Sequence, residues 1–264
     1  MKIQRLSAST YKFFSPVGKA VVVDPWLTND PFWPISERTA EKLKEIDVIA
    51  ITHAHFDHAS GINEIAQQNE QVTVIAQFEY ALSLRRRGIK NVIPMGIGAT
   101  VDYHGIKFSM VSASHTHSEM TEEGKTEVMG AASGYVIEFE NGLKVYLSGD
   151  TGLTADMQFV VKDYFKPQVS ILPVIGLFMM EPEQAAYAAN LIGSSYVIPS
   201  HDFPRETSDA ADPDGYREFL RVSPTGGAEI DTHKKVERFM EIMKKEYSHI
   251  TSMYVPIGGT IEIE

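Results

Sequence analysis

The chain has 264 residues, 43% hydrophobic and 22% charged, with 35 acidic residues against 24 Lys and Arg and a formal net charge of −11. That length allows one large domain or two small ones with a sizeable core, and the acidic balance opposes nucleic acid and anionic membranes as partners. There is no cysteine, so any metal would rest on His and carboxylates, and no apolar leader or membrane-length run occurs, from which a cytoplasmic protein is expected.

Runs rich in β-branched residues predict strands at 20–23, 48–51, 72–76, 106–111, 132–139, 143–147, 169–172, 196–199 and 260–263. Tyr103-His104-Gly105 and Glu140-Asn141-Gly142 sit between such runs as hairpin turns. Helices are predicted at 38–45, 61–68, 79–87, 155–165, 182–192 and 232–247. The last is the clearest, with Val236, Phe239, Met240, Met243 and Tyr247 forming one apolar stripe. Arg85-Arg86-Arg87 precedes Gly88, where its helix would end and cations suit the helix dipole. Residues 118–130, with Glu119, Glu122 and Glu123, and 205–215, with Asp209, Asp212, Pro213 and Asp214, are expected as polar loops. No composition break divides the chain.

Several strands run straight into a candidate ligand. The run at 20–23 leads to Asp24, that at 48–51 to His53, and that at 106–111 to His115. The run at 143–147 leads to Asp150, and that at 196–199 to His201. Sites in proteins that mix strands and helices gather at one end of the strands, where loops meet over a rigid frame.

The densest signal is Thr52-His53-Ala54-His55-Phe56-Asp57-His58. In an extended turn His53 and His55 point the same way, so one metal can take both imidazoles. Asp57 and His58 point elsewhere and suit a second metal. Six residues cannot fill two coordination shells, which leaves Asp150, His115 and His201 as distant candidates. Gly149 lets the backbone turn sharply before Asp150, whose carboxylate could bridge. His117 competes with His115, or else stands behind the metals as an orienting or proton-transfer group. Thr151 could orient Asp150. Two divalent ions are expected, with Zn favoured and Mn or Fe compatible.

These residues resemble the metallo-β-lactamase superfamily, whose hallmark is His-x-His-x-Asp-His. Asp24-Pro25-Trp26, Gly149-Asp150-Thr151-Gly152, Leu172-Pro173-Val174, Pro199-Ser200-His201 and Pro256-Ile257-Gly258-Gly259-Thr260 follow in family order. The nearest subgroup is the metal-dependent hydrolases similar to ascorbate-6-phosphate lactonase. The resemblance implies an α+β fold, a four-layer αββα sandwich, over residues 1–264 as one domain, in which 205–247 departs from the smallest members as a longer, helical insertion near the site. It implies one metal on His53, His55 and His115, the other on Asp57, His58 and His201, Asp150 bridging, and Asp24 supporting the ligands. The stretch 175–180 departs from the subgroup, which often carries a histidine there.

The expected activity is metal-dependent hydrolysis of a small ester, lactone or phosphodiester, with Asp57 and Asp150 orienting the attacking water. Trp26, Leu177 and Phe178 are expected to wall the substrate pocket. A di-iron redox protein and an RNA-processing nuclease share the motif. The first lacks a flavin domain and a cysteine relay here, and the second lacks a basic arm. The partner is a small molecule, and a homo-oligomer is compatible with the sequence.

Overall fold

The computed structural model describes residues 1–121, 123–222 and 231–263. Glu122 of the acidic loop and 223–230 within the expected insertion lie outside them. The first sheet is built from β1 (Lys2–Arg5), β2 (Tyr11–Phe14), β3 (Ala20–Val23), β4 (Val48–Ala50), β5 (Thr73–Gln77) and β6 (Asn91–Met95) in that spatial order. From β3 to β6 the pairing is parallel, with Val21 opposite Val48 and Val48 opposite Thr73.

The second sheet takes β7 (Thr100–Tyr103) and β8 (Ile106–Ser112), then, after a separate hairpin of β9 (Ser118–Met120) and β10 (Thr126–Val128), β11 (Ser133–Glu138) and β12 (Lys144–Leu147). It continues through β13 (Val169–Pro173), β14 (Tyr196–Ser200) and β15 (Thr251–Ser252), all parallel to β12. The final strand, β16 (Thr260–Glu262), crosses back to pair antiparallel with β1.

Period-two alternation explains the layers. Val21 and Val23 face the other sheet, where Phe108, Tyr135, Ile137 and Leu147 meet them in the central core. Val22 faces outward with Ile49 and Val74, and α1 (Ala40–Lys44), α3 (Ile62–Gln68) and α4 (Phe78–Arg86) cover that face with Leu43, Ile65 and Leu84. A four-residue α2 (Phe56–Ala59) carries the end of the histidine motif. The second sheet is covered by a π-helix at Met157–Phe165, α5 (Pro182–Ile192) and α7 (Thr232–Glu246), through Met157, Ala185 and Phe239. The result is the expected αββα sandwich. Strands buried on both faces lose polar alternation, which is why 20–23 and 48–51 appear as continuous apolar runs.

Two expected loops carry structure. Residues 118–130 contain the β9–β10 hairpin, with Thr126 opposite Met120. The 205–215 stretch leads into α6 (Pro213–Val222), whose Tyr216 packs edge-on against Phe32 with ring centroids 4.8 Å apart. Among the described residues, no helix is long and apolar enough to cross a membrane.

Candidate metal centre

The five strand ends converge. Asp24 follows β3, His53 follows β4, His115 follows β8, Asp150 follows β12 and His201 follows β14. Asp24 and His201 adopt left-handed backbone, with φ of 52° and 75°. Such conformations cost about 1–3 kcal/mol each in non-glycine residues and gather at functional sites. Gly149 also has positive φ, and a Cβ there would lie 2.8 Å from the Cβ of Thr52 and 2.9 Å from the Ser133 carbonyl oxygen. Only glycine lets Asp150 come this close to the motif.

The histidines divide into two groups. Ring centroids of His53, His55 and His115 lie 4.5–5.1 Å apart, and His53 Nε2 is 2.9 Å from His55 Nδ1. His58 and His201 form the second group with Asp57, whose Oδ2 is 3.7 Å from His58 Nε2 and 3.5 Å from His201 Nε2. Asp150 faces both groups through one oxygen. Its Oδ2 lies 3.5 Å from His58 Nε2, 3.3 Å from His201 Nε2 and 3.7 Å from His115 Nε2. In each trio, His53/His55/His115 and Asp57/His58/His201, potential ligand atoms all lie within 4.8 Å of one another.

Hydrogen bonds behind the rings set their tautomers. Thr52 N donates to Asp24 Oδ1 at 2.8 Å, and the Thr52 hydroxyl donates to Asp24 Oδ2 at 2.7 Å. With its hydrogen committed, that hydroxyl accepts from His53 Nδ1 at 3.0 Å. His58 Nδ1 donates to Asp24 Oδ2 at 2.9 Å, and His115 Nδ1 donates to the Phe178 carbonyl at 3.0 Å. With Nδ1 committed to a partner, each of these three rings turns Nε2 toward the centre, where a bound cation would take the place of any proton it carries. Asp24, with Oδ1 and Oδ2 both already accepting, orients His58 and, through Thr52, His53.

Among the described residues, buried His58 Nε2 and both nitrogens of His201 have no hydrogen-bond partner. Each such atom left unpaired costs about 1–3 kcal/mol. A divalent cation taking their lone pairs relieves that cost, and an all-nitrogen-and-oxygen donor set suits Zn, Mn or Fe(II). Electrostatics point the same way. Burial alone would lower the pKa of His58, but Asp150, Asp57 and Asp24 hold it well above the usual imidazole value. His201 is likewise pushed up to about 9 against its burial, by Asp150 and Asp57. Burial would raise Asp150, yet His201 and His58 keep it well below the carboxylate range. The carboxylates thus draw positive charge into this corner. His53 and His55, lowered mainly by burial and His55 to about 4, stay neutral and keep lone pairs.

Three expectations fail on geometry. His117 does not join the cluster, since its Nδ1 donates to the Ala131 carbonyl at 2.9 Å and its ring packs edge-on against Tyr80. Thr151 does not orient Asp150. Its hydroxyl donates to the Gly152 carbonyl and accepts from Ser114 N at 2.9 Å, tying this loop to the one that carries His115. Trp26 does not line the cleft, being buried behind Phe56 with ring centroids 5.8 Å apart. Leu177 and Phe178 do line it. They share a cleft of about 370 Å³ with Asp57, His115, Asp150 and His201. Sequence reasoning missed Phe203, Tyr216, Phe219 and Leu220, which also line the cleft. The spacing of Tyr216, Phe219 and Leu220, at i, i+3 and i+4, was the available signal.

Comparison with known proteins adds the family. The beta-lactamase superfamily domain model matches residues 19–201. A UPF0173 metal-dependent hydrolase of Rubrobacter xylanophilus is 34% identical over 237 residues, 88% of this chain and 92% of that protein. One of Methanosphaera stadtmanae is 40% identical over 203 residues, 76% of this chain and 83% of that one. Among solved structures, a metallo hydrolase of Ignicoccus hospitalis superposes with a TM-score of 0.73 at 24% identity, over 100% of this chain and 99% of its own. The metallo-beta-lactamase fold protein YhfI of Bacillus subtilis gives 0.64 at 11%, over 99% of each chain. At these identities the structural likeness speaks for the fold.

Proposed function

The chain belongs to the metallo-β-lactamase superfamily and, within it, to the UPF0173 metal-dependent hydrolases, and from that membership we propose that it hydrolyses a small, partly apolar lactone or carboxylic ester with two divalent ions. His53, His55 and His115 would hold one ion, and Asp57, His58 and His201 the other, with Asp150 between them. The observation that carries this reading is the Asp150 Oδ2 atom, within 3.3–3.7 Å of imidazole nitrogens from both groups. The same reading takes the chain as one domain, with 205–247 an insertion that lends α6 to the cleft.

Bound ions of this kind polarise a carbonyl oxygen and bring the pKa of water to about 7. The chain's own residues would do the rest. Asp57, open to the cleft, would accept a proton from the attacking water and orient it with Asp150. Asp24 and Thr52 would keep His53 and His58 in the tautomers that expose Nε2. Phe56, Phe178, Phe203 and Phe219 would exclude water and seat the apolar part of the substrate. The lactone rests on the resemblance of the sequence motifs to ascorbate-6-phosphate lactonase, and among the described residues no Lys or Arg lines the cleft. A phosphate group would rely on the two ions and His201 for positive charge, without a guanidinium or ammonium clamp among the described residues, which favours an acyl substrate over a phosphodiester.

The test is metal content of protein purified without chelator, by plasma mass spectrometry, beside Asp150→Ala and a panel of lactones and esters. About two equivalents, lost in the variant together with turnover, are expected. Well under one equivalent, unchanged in the variant and not restored by added metal, would remove the reading. Iron in that assay, with oxygen turnover and no ester turnover, would bring back the redox alternative.

A further inference from the structure

Two cavities meet at the histidine motif. One is the 370 Å³ cleft above the His and Asp groups. The other, about 280 Å³, opens on the far side of His55 and Phe56, between α3, α4 and the β9–β10 hairpin. His55 and Phe56 line both, so these two side chains are shared between the cavities. Phe56 fills the second unspecified position of the motif. Its side chain is 56% exposed, although buried Trp26 braces it edge-on from behind. A phenyl ring left this exposed contributes little to the core.

The second cavity differs in chemistry from the first. Its inner wall is apolar, with Ile62, Tyr80 and Leu84, while Asn63, Arg87 and Glu119 stand around it. The Arg87 guanidinium lies over the Tyr80 ring, 5.5 Å from its centroid, and pairs with the Glu119 carboxylate of β9. That pair presents donors and acceptors with no net charge. A phosphate or carboxylate would be drawn by Arg87 and repelled by Glu119, and an ammonium the reverse. A neutral group bearing hydroxyls or an amide satisfies both.

We propose that this cavity is a second substrate subsite, taking a neutral hydroxyl- or amide-bearing part of a substrate whose apolar part lies in the main cleft, with Phe56 dividing the two. The placement of the scissile bond between them rests on the hydrolase reading, whereas occupancy of the cavity does not. The substrate class becomes an ester or lactone that is apolar on one side of the reacting carbonyl and neutral but hydrogen-bonding on the other.

The chain has no cysteine, so Asn63→Cys places a single thiol in the second cavity on an exposed helical position. Alkylation of this thiol by iodoacetamide in the metal-loaded protein is followed by intact mass. Two unactivated amides serve as probes, N-(2,3-dihydroxypropyl)butanamide and N-propylbutanamide, which lacks the hydroxyls. The dihydroxy amide is expected to slow alkylation several-fold and the propyl amide to leave it unchanged. Arg87→Met, which keeps an apolar stem over Tyr80, is expected to raise the half-protecting concentration about tenfold. Equal rates with the two amides, whether both protect or neither does, would overturn the subsite. So would unaltered protection in Arg87→Met, or stronger protection by glycerol 3-phosphate. Since neither amide need be turned over, failure of every ester in the hydrolysis panel would remove the hydrolase reading and leave this result standing.

Discussion

Asp24 accepts from three donors, Thr52 N, the Thr52 hydroxyl and His58 Nδ1. Asp24→Asn puts an amide donor against at least one of them. If it faces His58, the proton of that ring moves to Nε2, which can then no longer bind a metal. Metal affinity is expected to fall about 10–100-fold, the usual loss when a group orienting a ligand is removed, as read by competition with a chelator. A change under about twofold would deny Asp24 its orienting role. The histidine pair on the β8 loop gives a second contrast. His117→Ala is expected to keep full metal content, because its ring bonds to the Ala131 carbonyl, whereas His115→Ala is expected to lose metal. The opposite result would exchange the two. The motif at 53–58 was legible because its ligands are contiguous, and the strand ends were legible because each followed an apolar run. Thr151 and Trp26 were misjudged because sequence proximity to a ligand does not fix side-chain direction after a turn. Thr151 follows Asp150 directly yet serves the His115 loop instead.

At the scale of elements, β1 and β2 escaped sequence reading because their buried positions include charges. Arg5 is fully buried and Lys12 nearly so, which hides the alternation. Arg5 has a reason to be there. Its guanidinium donates to the carbonyls of Ser7, Ala8, Asp202 and Val255 and pairs with Asp202 Oδ1 at 2.8 Å. Asp202 follows His201, and the Tyr254 hydroxyl donates to its Oδ2 at 2.8 Å. This network clamps the end of β14, which presents His201 in its left-handed conformation. Asp202→Ala leaves the guanidinium buried without its counter-charge and is expected to cost about 3–5 kcal/mol in urea unfolding. Adding Arg5→Met to that variant is expected to recover a large part. A loss below about 1 kcal/mol in the single variant would mean water replaces the carboxylate. α6 was hidden by turn residues. Asp212-Pro213-Asp214-Gly215 suggested a loop, but Asp212 Oδ1 accepts from Gly215 N at 3.0 Å and Pro213 opens the first turn. Those are the signals that start a helix as well as a turn.

For the molecule as a whole, strand and helix periodicity placed many of the elements and the motifs' family resemblance implied the four layers, whereas the aromatic packing at one end of the sandwich was not legible. Trp26, Phe32, Phe203, Tyr216 and Phe219 come from three separate stretches and meet only in the fold, with ring centroids 4.8–6.4 Å apart. In the same stretch as Trp26 and Phe32 lies buried Asp30. Its Oδ1 accepts from Phe32 N at 2.8 Å, and its Oδ2 has no hydrogen-bond partner among the described residues. Burial pushes this carboxyl up from 3.8 to about 7, against the opposing effects of the Phe32 amide and Arg38. The folded protein therefore keeps a proton that the unfolded chain releases above pH 3.8. The stability tied to that proton is present in full below the unfolded value and is lost as pH rises through about 7. Over this window the loss is on the order of 4 kcal/mol. Asp30→Asn keeps an acceptor for Phe32 N and cannot ionise. The stability of the variant relative to the parent, from urea melts between pH 4 and 8, is expected to climb by that amount. Because the other titrating groups are common to both proteins, they cancel in the difference. A flat difference would mean that Asp30 is ionised in the fold throughout, with water reaching Oδ2 behind the aromatic layer.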